Sequence, residues 1–312
     1  MTHSLAMLAL FQLAVPNSST ALVSYPTLGY TLSGSHLVHL TGVPGACSAS
    51  LDASASAYVS IQSAAATRAV LLATAGDAPT LIYRTPVNDT TVALGEAPIA
   101  TALSPAGAYF AALSASRLLL YRRSGSAPIA ALDARMLPIA VEQITALVVG
   151  DYGDVVLNSA TGFWYSANPG APSALFSQIS VPLTFLRFAP RDHLLIAFEA
   201  GQGRVVALHP TSAFAIEPLI TAQDSVSQLT GLEFGADGLS VWITQADGPL
   251  LHYNLSQRQL TAYLVPAGAI ASVTTPGVFL WSQPDQQTEI LDTTRTVPTV
   301  LVVPAASTGV AK

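Results

Sequence analysis

The chain has 312 residues, of which 51% are hydrophobic and 10% charged, and twelve Lys+Arg against eighteen Asp+Glu give a formal net charge of −6. That composition excludes intrinsic disorder, and its acidic balance argues against nucleic acid, whose phosphates call for clustered bases. Cys47 is the sole cysteine, so no internal disulfide forms, and no apolar stretch reaches the ~20 residues of a membrane-spanning helix.

Residues 5–15 (LAMLALFQLAV) are apolar except for Gln12. Two readings fit residues 1–21. As a secretory signal, the run is an h-region ahead of a small-x-small site at Ser19-Thr20-Ala21, which implies a secreted or periplasmic protein; Met1 to Ser4, however, carry no Lys or Arg. As a first buried strand, the same run belongs to the fold and leaves a cytoplasmic location open. Residues 22–304 read as one domain, and 305–312 as a C-terminal tail.

The next elements all read as short strands. Residues 29–32 and 36–40 form a hairpin across Ser33-Gly34-Ser35. A weak repeat unit opens at Tyr58-Val59-Ser60-Ile61 and continues through residues 68–73, 79–83 and 90–94. A clearer pattern then recurs: an apolar strand, a Pro/Asp/Gly turn and a second apolar strand. It is seen at residues 103–112 (LSPAGAYFAA), 149–157 (VGDYGDVVL), 188–196 (FAPRDHLLI), 234–242 (FGADGLSVW) and 275–281 (TPGVFLW). Glycine supplies positive φ without a Cβ clash, proline presets the corner and Asp bonds nearby backbone. In the third copy Asp192 stands where the glycine falls in the others.

The turns lie at 107, 153, 192, 238 and 277, a mean step within the ~40–45 residues of a four-stranded propeller blade. Two further strand-like runs follow each turn, with no helical periodicity between them. The expectation is an all-β fold, a β-propeller of four-stranded antiparallel blades. It has seven blades if residues 1–55 supply one, and six otherwise. The two ends must meet, because an open blade leaves an unpaired sheet edge.

Residues 103–111 (LSPAGAYFA) resemble the Ser-Pro-Asp-Gly-type turn of the YVTN/WD40-like bacterial β-propellers. The Gly-His and Trp-Asp dipeptides of WD40 repeats are absent, as is a Tyr-Val-Thr-Asn tetrad. The resemblance therefore implies an architecture and does not license a function. It also brings in an enzymatic alternative, a metal-assisted hydrolase or lyase of the propeller lactonase type.

Catalytic motifs are missing: there is no Gly-x-Ser-x-Gly elbow, His-Glu-x-x-His, paired Cys-x-x-Cys or phosphate-binding Gly-rich loop. Gly201-Gln202-Gly203 reads as a hairpin turn. His36 and His39 point to opposite faces of one strand, and His193, His209 and His252 read as structural. Trp164, Trp242 and Trp281 read as packing between blades.

Charge placement is more informative. With strands a to d in each blade, the b–c and d–a connections lie on one face and the a–b and c–d turns on the other. The first face receives Asp52, Asp77, Glu96, Glu142, Glu199, Asp224, Asp247 and Asp285 against three arginines, and the second is nearly balanced. Arg187 and Glu233 fall on neither. The candidate ligand-binding set is thus Asp77, Glu96, Glu142, Glu199, Asp224, Asp247 and Asp285, whose field would favour a small cationic ligand or a divalent cation such as calcium. The favoured reading is a non-enzymatic module that binds a protein or ligand, with no cofactor required.

Overall fold

A computed structural model describes residues 26–52, 57–167, 169, 176–212, 214–220, 226, 228–283 and 288–304. The signal-or-strand segment 1–21 and the tail 305–312 lie outside the described residues. Among them, strands form seven antiparallel sheets, and the helical content is four single 3-10 turns. Blade 1 (Thr27–Ser33, His36–Val43, Ala46–Leu51) has three described strands. The other six have four each, and they begin at Tyr58, Ala100, Ala146, Thr184, Leu229 and Ala269. The protein is a seven-bladed β-propeller.

The first strand of each blade is innermost, and consecutive inner strands pack side by side from Thr27–Ser33 around to Ala269–Ser272. Middle strands are covered on both faces by the neighbouring blades. This is why Val155–Ser159 and Leu195–Glu199 read as unbroken apolar or small runs and are buried almost throughout. Outer strands such as Gln259–Tyr263 cover one side only and mix polar with apolar residues.

Seven hydrophobic clusters hold the ring, one at each interface between blades. Leu37 with Val70 and Leu72 joins blades 1 and 2; Tyr83, Phe110 and Tyr121 join 2 and 3; Leu118 and Trp164 join 3 and 4. Phe163 and Phe188 join 4 and 5, Phe198 and Phe234 join 5 and 6, and Trp242 and Trp281 join 6 and 7. All three tryptophans therefore pack between blades, as read from the sequence.

The seventh cluster closes the ring, with Leu28, Val38 and Leu40 packed on Val273, Val278 and Ile290. Three hydrogen bonds accompany it. Thr274 Oγ1 donates to Leu28 O at 3.0 Å, and Thr275 Oγ1 donates to Leu28 O at 2.8 Å and to Thr27 O at 3.2 Å. Gly29 sits at a strand irregularity so close to blade 7 that an added Cβ would lie 2.6 Å from Val273 Cβ.

Every a–b turn carries one left-handed residue: Gly34 (φ 62°), Arg68 (53°), Gly107 (66°), Gly153 (86°), Arg191 (58°), Gly238 (69°) and Gly277 (73°). The glycines of the repeat are thus explained by backbone conformation. In blade 5, where no glycine occurs, the left-handed position is Arg191 and not Asp192, a one-residue correction to the turn alignment. Asp192 instead accepts from its own turn, with His193 N at 2.7 Å from Oδ1.

Two outcomes follow for stability. Arg68 is exposed and pays the left-handed cost of an L-residue, so Arg68→Gly raises the unfolding free energy by about 0.5–1 kcal/mol in urea titrations. Gly29→Ala overpacks the closing interface and lowers it by about 1–3 kcal/mol. An unchanged midpoint for Gly29→Ala would contradict the close approach of blades 1 and 7.

Candidate functional site

A cavity of about 340 Å³ lies on the ring axis, and every blade contributes to it. Its apolar wall takes Tyr30, Ile61, Leu103, Leu147, Phe188, Phe234 and Leu280, in order from blades 1 to 7. In blades 2 to 7 the inner strands run toward the a–b turns, and their lining is drawn mostly from their second halves and from turn residues such as Ala66, Pro105, Pro190 and Ala236, whereas the inner strand of blade 1 runs the opposite way and contributes Tyr30 and Thr31 from its middle. The cavity therefore belongs to the a–b end of the axis.

Its charged lining is one ion pair. Arg187, on the inner strand of blade 5, donates from Nε to Glu233 Oε1 of blade 6 at 3.0 Å, and its Nη1 donates to Leu186 O at 2.9 Å. Ser272 of blade 7 donates to Glu233 Oε2 at 3.0 Å. The two sides are unequally exposed, since the Glu233 side chain is 10% accessible and that of Arg187 is 41%. Burying a carboxylate is costly unless it is paired and hydrogen-bonded, and here both oxygens are engaged. Arg187 Nη2 has no partner among the described residues. Gln62, also in the lining, is spent on structure: its amide donates to Thr101 O at 2.6 Å and its carbonyl accepts from Leu103 N at 2.9 Å.

Blade 4 fixes the mouth. The Asp151 carboxylate accepts from Ala106 N at 2.8 Å and from Arg191 N at 2.7 Å, the residues that follow the lining prolines 105 and 190. Tyr152 donates to Arg191 O and stacks on His193 at 4.3 Å between ring centroids. Beneath them, fully buried Asp154 binds His193 Nδ1 at 2.7 Å and accepts from Tyr165 at 3.1 Å. Burial pushes the Asp154 carboxyl above its ordinary range, against the pull of His193 and Tyr165. Burial, then Asp154 itself, raises the Tyr165 phenol. His193 is structural in the sense read from the sequence, because it ties blade 5 to blade 4.

The seven candidate acids stand elsewhere. Asp77, Glu199 and Asp247 lie at b–c connections, and Glu96 and Glu142 at d–a connections, so the topology puts all five on the face opposite the cavity mouth. Glu199 is paired with Arg204 at 2.6 Å. Glu96 accepts from Ser116 N at 3.1 Å; hydrogen bonds from Ser116 and Ser114 hold its carboxyl below the usual range, and Arg117 adds to this. Asp77, Glu142 and Asp247 are exposed, and Asp224 and Asp285 lie outside the described residues. None of the seven is among the described lining of the cavity. Among the described residues no group of three or more His, Cys, Asp or Glu is placed to hold a metal ion. Asp52 closes the third strand of blade 1, where its N donates to Leu37 O, and its carboxylate pairs with Arg84 at 3.3 Å.

Arg187 and Glu233 were passed over because a charge within a strand belongs to neither loop face. A signal was present, since LRFAP and LEFGA place a charge at the same position before two successive turns. What the sequence did not reveal is that these positions meet on the axis.

The fold has known counterparts. The Chaetomium thermophilum protein Sqt1, in a crystal structure with the N-terminus of ribosomal protein L10, superposes with a TM-score of 0.54 at 14% identity, over 81% of this chain and 78% of that one. A chain of the nidogen/laminin complex gives 0.48 at 14% identity, over 75% and 91%. No protein-family model and no curated protein matches the sequence. At this identity the likeness shows a WD40-like propeller and no narrower family, so it does not support the YVTN assignment or a bacterial source. Among the described residues, no helix is long and apolar enough to cross a membrane.

Tyr30 stacks on His39 at 4.7 Å, and His39 Nε2 lies 2.9 Å from Thr27 Oγ1. Burial lowers the His39 pKa, Asp52 opposes that shift and Arg84 adds to it. A histidine whose pKa is lowered in the folded state contributes stability that is present above the unfolded value of about 6.5 and is lost progressively as pH falls from there through the lowered folded value. Melting temperature should therefore drop between pH 7.5 and 5.5, and His39→Gln should show a smaller drop. Equal drops in both proteins would remove His39 as a cause.

Proposed function

We propose that the chain is a non-enzymatic binding module that receives a segment of a protein partner across the a–b face, with the end of that segment in the axial cavity. One observation carries the reading: all seven blades build a recess of mixed apolar and polar lining with one ion pair, Arg187–Glu233, among its described residues. Recognition sites have this form, an apolar surround with a few placed polar groups. The volume suits a residue or two and not a length of chain. The likeness to a propeller crystallised with the N-terminus of another protein agrees with it. Placement in the cell envelope, as the signal reading of residues 1–21 would have it, belongs to the same proposal.

Ala271 is exposed, faces the cavity from the inner strand of blade 7, and has room for a larger side chain. Ala271→Trp should fill the recess and keep the melting temperature near that of the wild type. The test is binding to an immobilised set of short peptides, free at both ends, with every residue type represented at each terminus. Peptides that bind the wild type should fail to bind Ala271→Trp and should still bind a Glu96→Gln/Asp247→Asn variant altered on the opposite face. The reverse pattern overturns the proposal.

A further inference from the structure

We infer that the cavity reads a carboxylate, the C-terminal carboxylate of the bound segment, through the open edge of Arg187. This rests on the binding-module reading above and names the chemistry of its ligand.

The charge that the cavity presents is that of the guanidinium. Glu233 is tucked into the wall, and both its oxygens are taken by Arg187 Nε and Ser272 Oγ. Arg187 is held at Nε by Glu233 and at Nη1 by the Leu186 carbonyl, while Nη2 has no partner among the described residues and the side chain remains well exposed. An arginine held at two of its three nitrogens is already oriented, so the donors left at its Nη1/Nη2 end meet a planar two-oxygen acceptor with little further loss of freedom. Carboxylate matches that fork.

The surroundings favour a chain end over an internal acidic residue. The cavity wall draws Ile61, Leu103, Leu147, Phe188, Phe234 and Leu280 from around the ring, with Gln62, Ser63 and Ser272 among its polar members. A terminal residue brings a carboxylate and an apolar side chain on the same Cα, and so satisfies the arginine and the wall together. A single Asp or Glu side chain dipping in from a segment outside would leave most of the 340 Å³ unfilled. An internal loop pushed deeper would bring backbone N–H and C=O groups against apolar wall, where each unpaired group is costly. Gln62, another polar residue of the wall, already engages both ends of its amide with blade 3.

The probes are the peptides of the set just described, each made as the free acid and as the C-terminal amide, with a third form that is amidated and carries Glu as its penultimate residue. Binding to the full chain is measured by fluorescence polarisation. Free acids with an apolar last residue should bind, and their amides should bind about tenfold more weakly or worse, the loss expected for one charge-assisted contact. Arg187→Gln should abolish the difference between acid and amide. Arg187→Lys, which keeps the charge without the fork, should retain part of it, and it serves as the folded control if the glutamine variant melts early.

Equal binding of acids and amides to the wild type, still blocked by Ala271→Trp, overturns the carboxylate inference and leaves the binding module standing. Recovery of full affinity by the amidated Glu form moves the recognised group to a side chain and likewise overturns it. Binding that ignores Ala271→Trp overturns both, and so does the absence of binding by any free acid in the set.

Discussion

Burial between neighbouring blades is the interaction on which everything else depends. Each sheet is too narrow to bury its own faces and becomes stable only when covered on both sides. Seven apolar clusters, one per interface, meet that need, and the last joins residues near Leu28 to residues near Val273. Removing water from apolar area contributes ~25 cal/mol per Å², but it fixes no particular angle. Orientation comes from the closing hydrogen bonds of Thr274 and Thr275 and from the left-handed residue that ends each inner strand. Because the ring must close, the inner strands converge on one axis, and the cavity is the space left when seven edges cannot meet at a point.

The two faces of the ring do different work. On the a–b face, the blade 4 turn uses Asp151, Tyr152 and Asp154 to lace blades 3, 4 and 5 around the mouth. These are buried or backbone-directed interactions, and they hold the lining prolines in place. On the opposite face, the described acids are singly exposed, paired with a nearby arginine, or held by serines. A high count of carboxylates on one face is thus compatible with a face that gathers none of them into a cluster. Charge tallies by loop report which end of a ring a residue occupies and say nothing of how far apart residues stand around its circumference.

Inside the cavity, the Arg187–Glu233–Ser272 arrangement spans three consecutive blades. A buried ion pair is weak evidence for stability, because desolvation offsets much of the attraction. Its asymmetry is the more telling property. The acid is withdrawn and fully engaged, whereas the base is held at Nε and Nη1 and remains accessible at Nη2.

Much of the architecture was legible in the chain itself. Runs such as VVLNS and LIAF announced strands buried on both sides, and Gly107, Gly153, Gly238 and Gly277 marked the corners because only backbone without Cβ enters the left-handed region cheaply. Blade 1 was harder to read, since its hairpin has no proline or aspartate in the turn, and Arg191 was misaligned by one residue because an arginine stood where glycine is favoured. The site was not legible. Arg187 and Glu233 are 46 residues apart in sequence, and each looked like an isolated charge within a strand. Local sequence determines which residues become strand, turn or buried face, since those depend on neighbours a few positions away. Only closure of the ring decides which strand positions of different blades share the axis, because that proximity is set by seven interfaces acting together and leaves no mark within any one repeat.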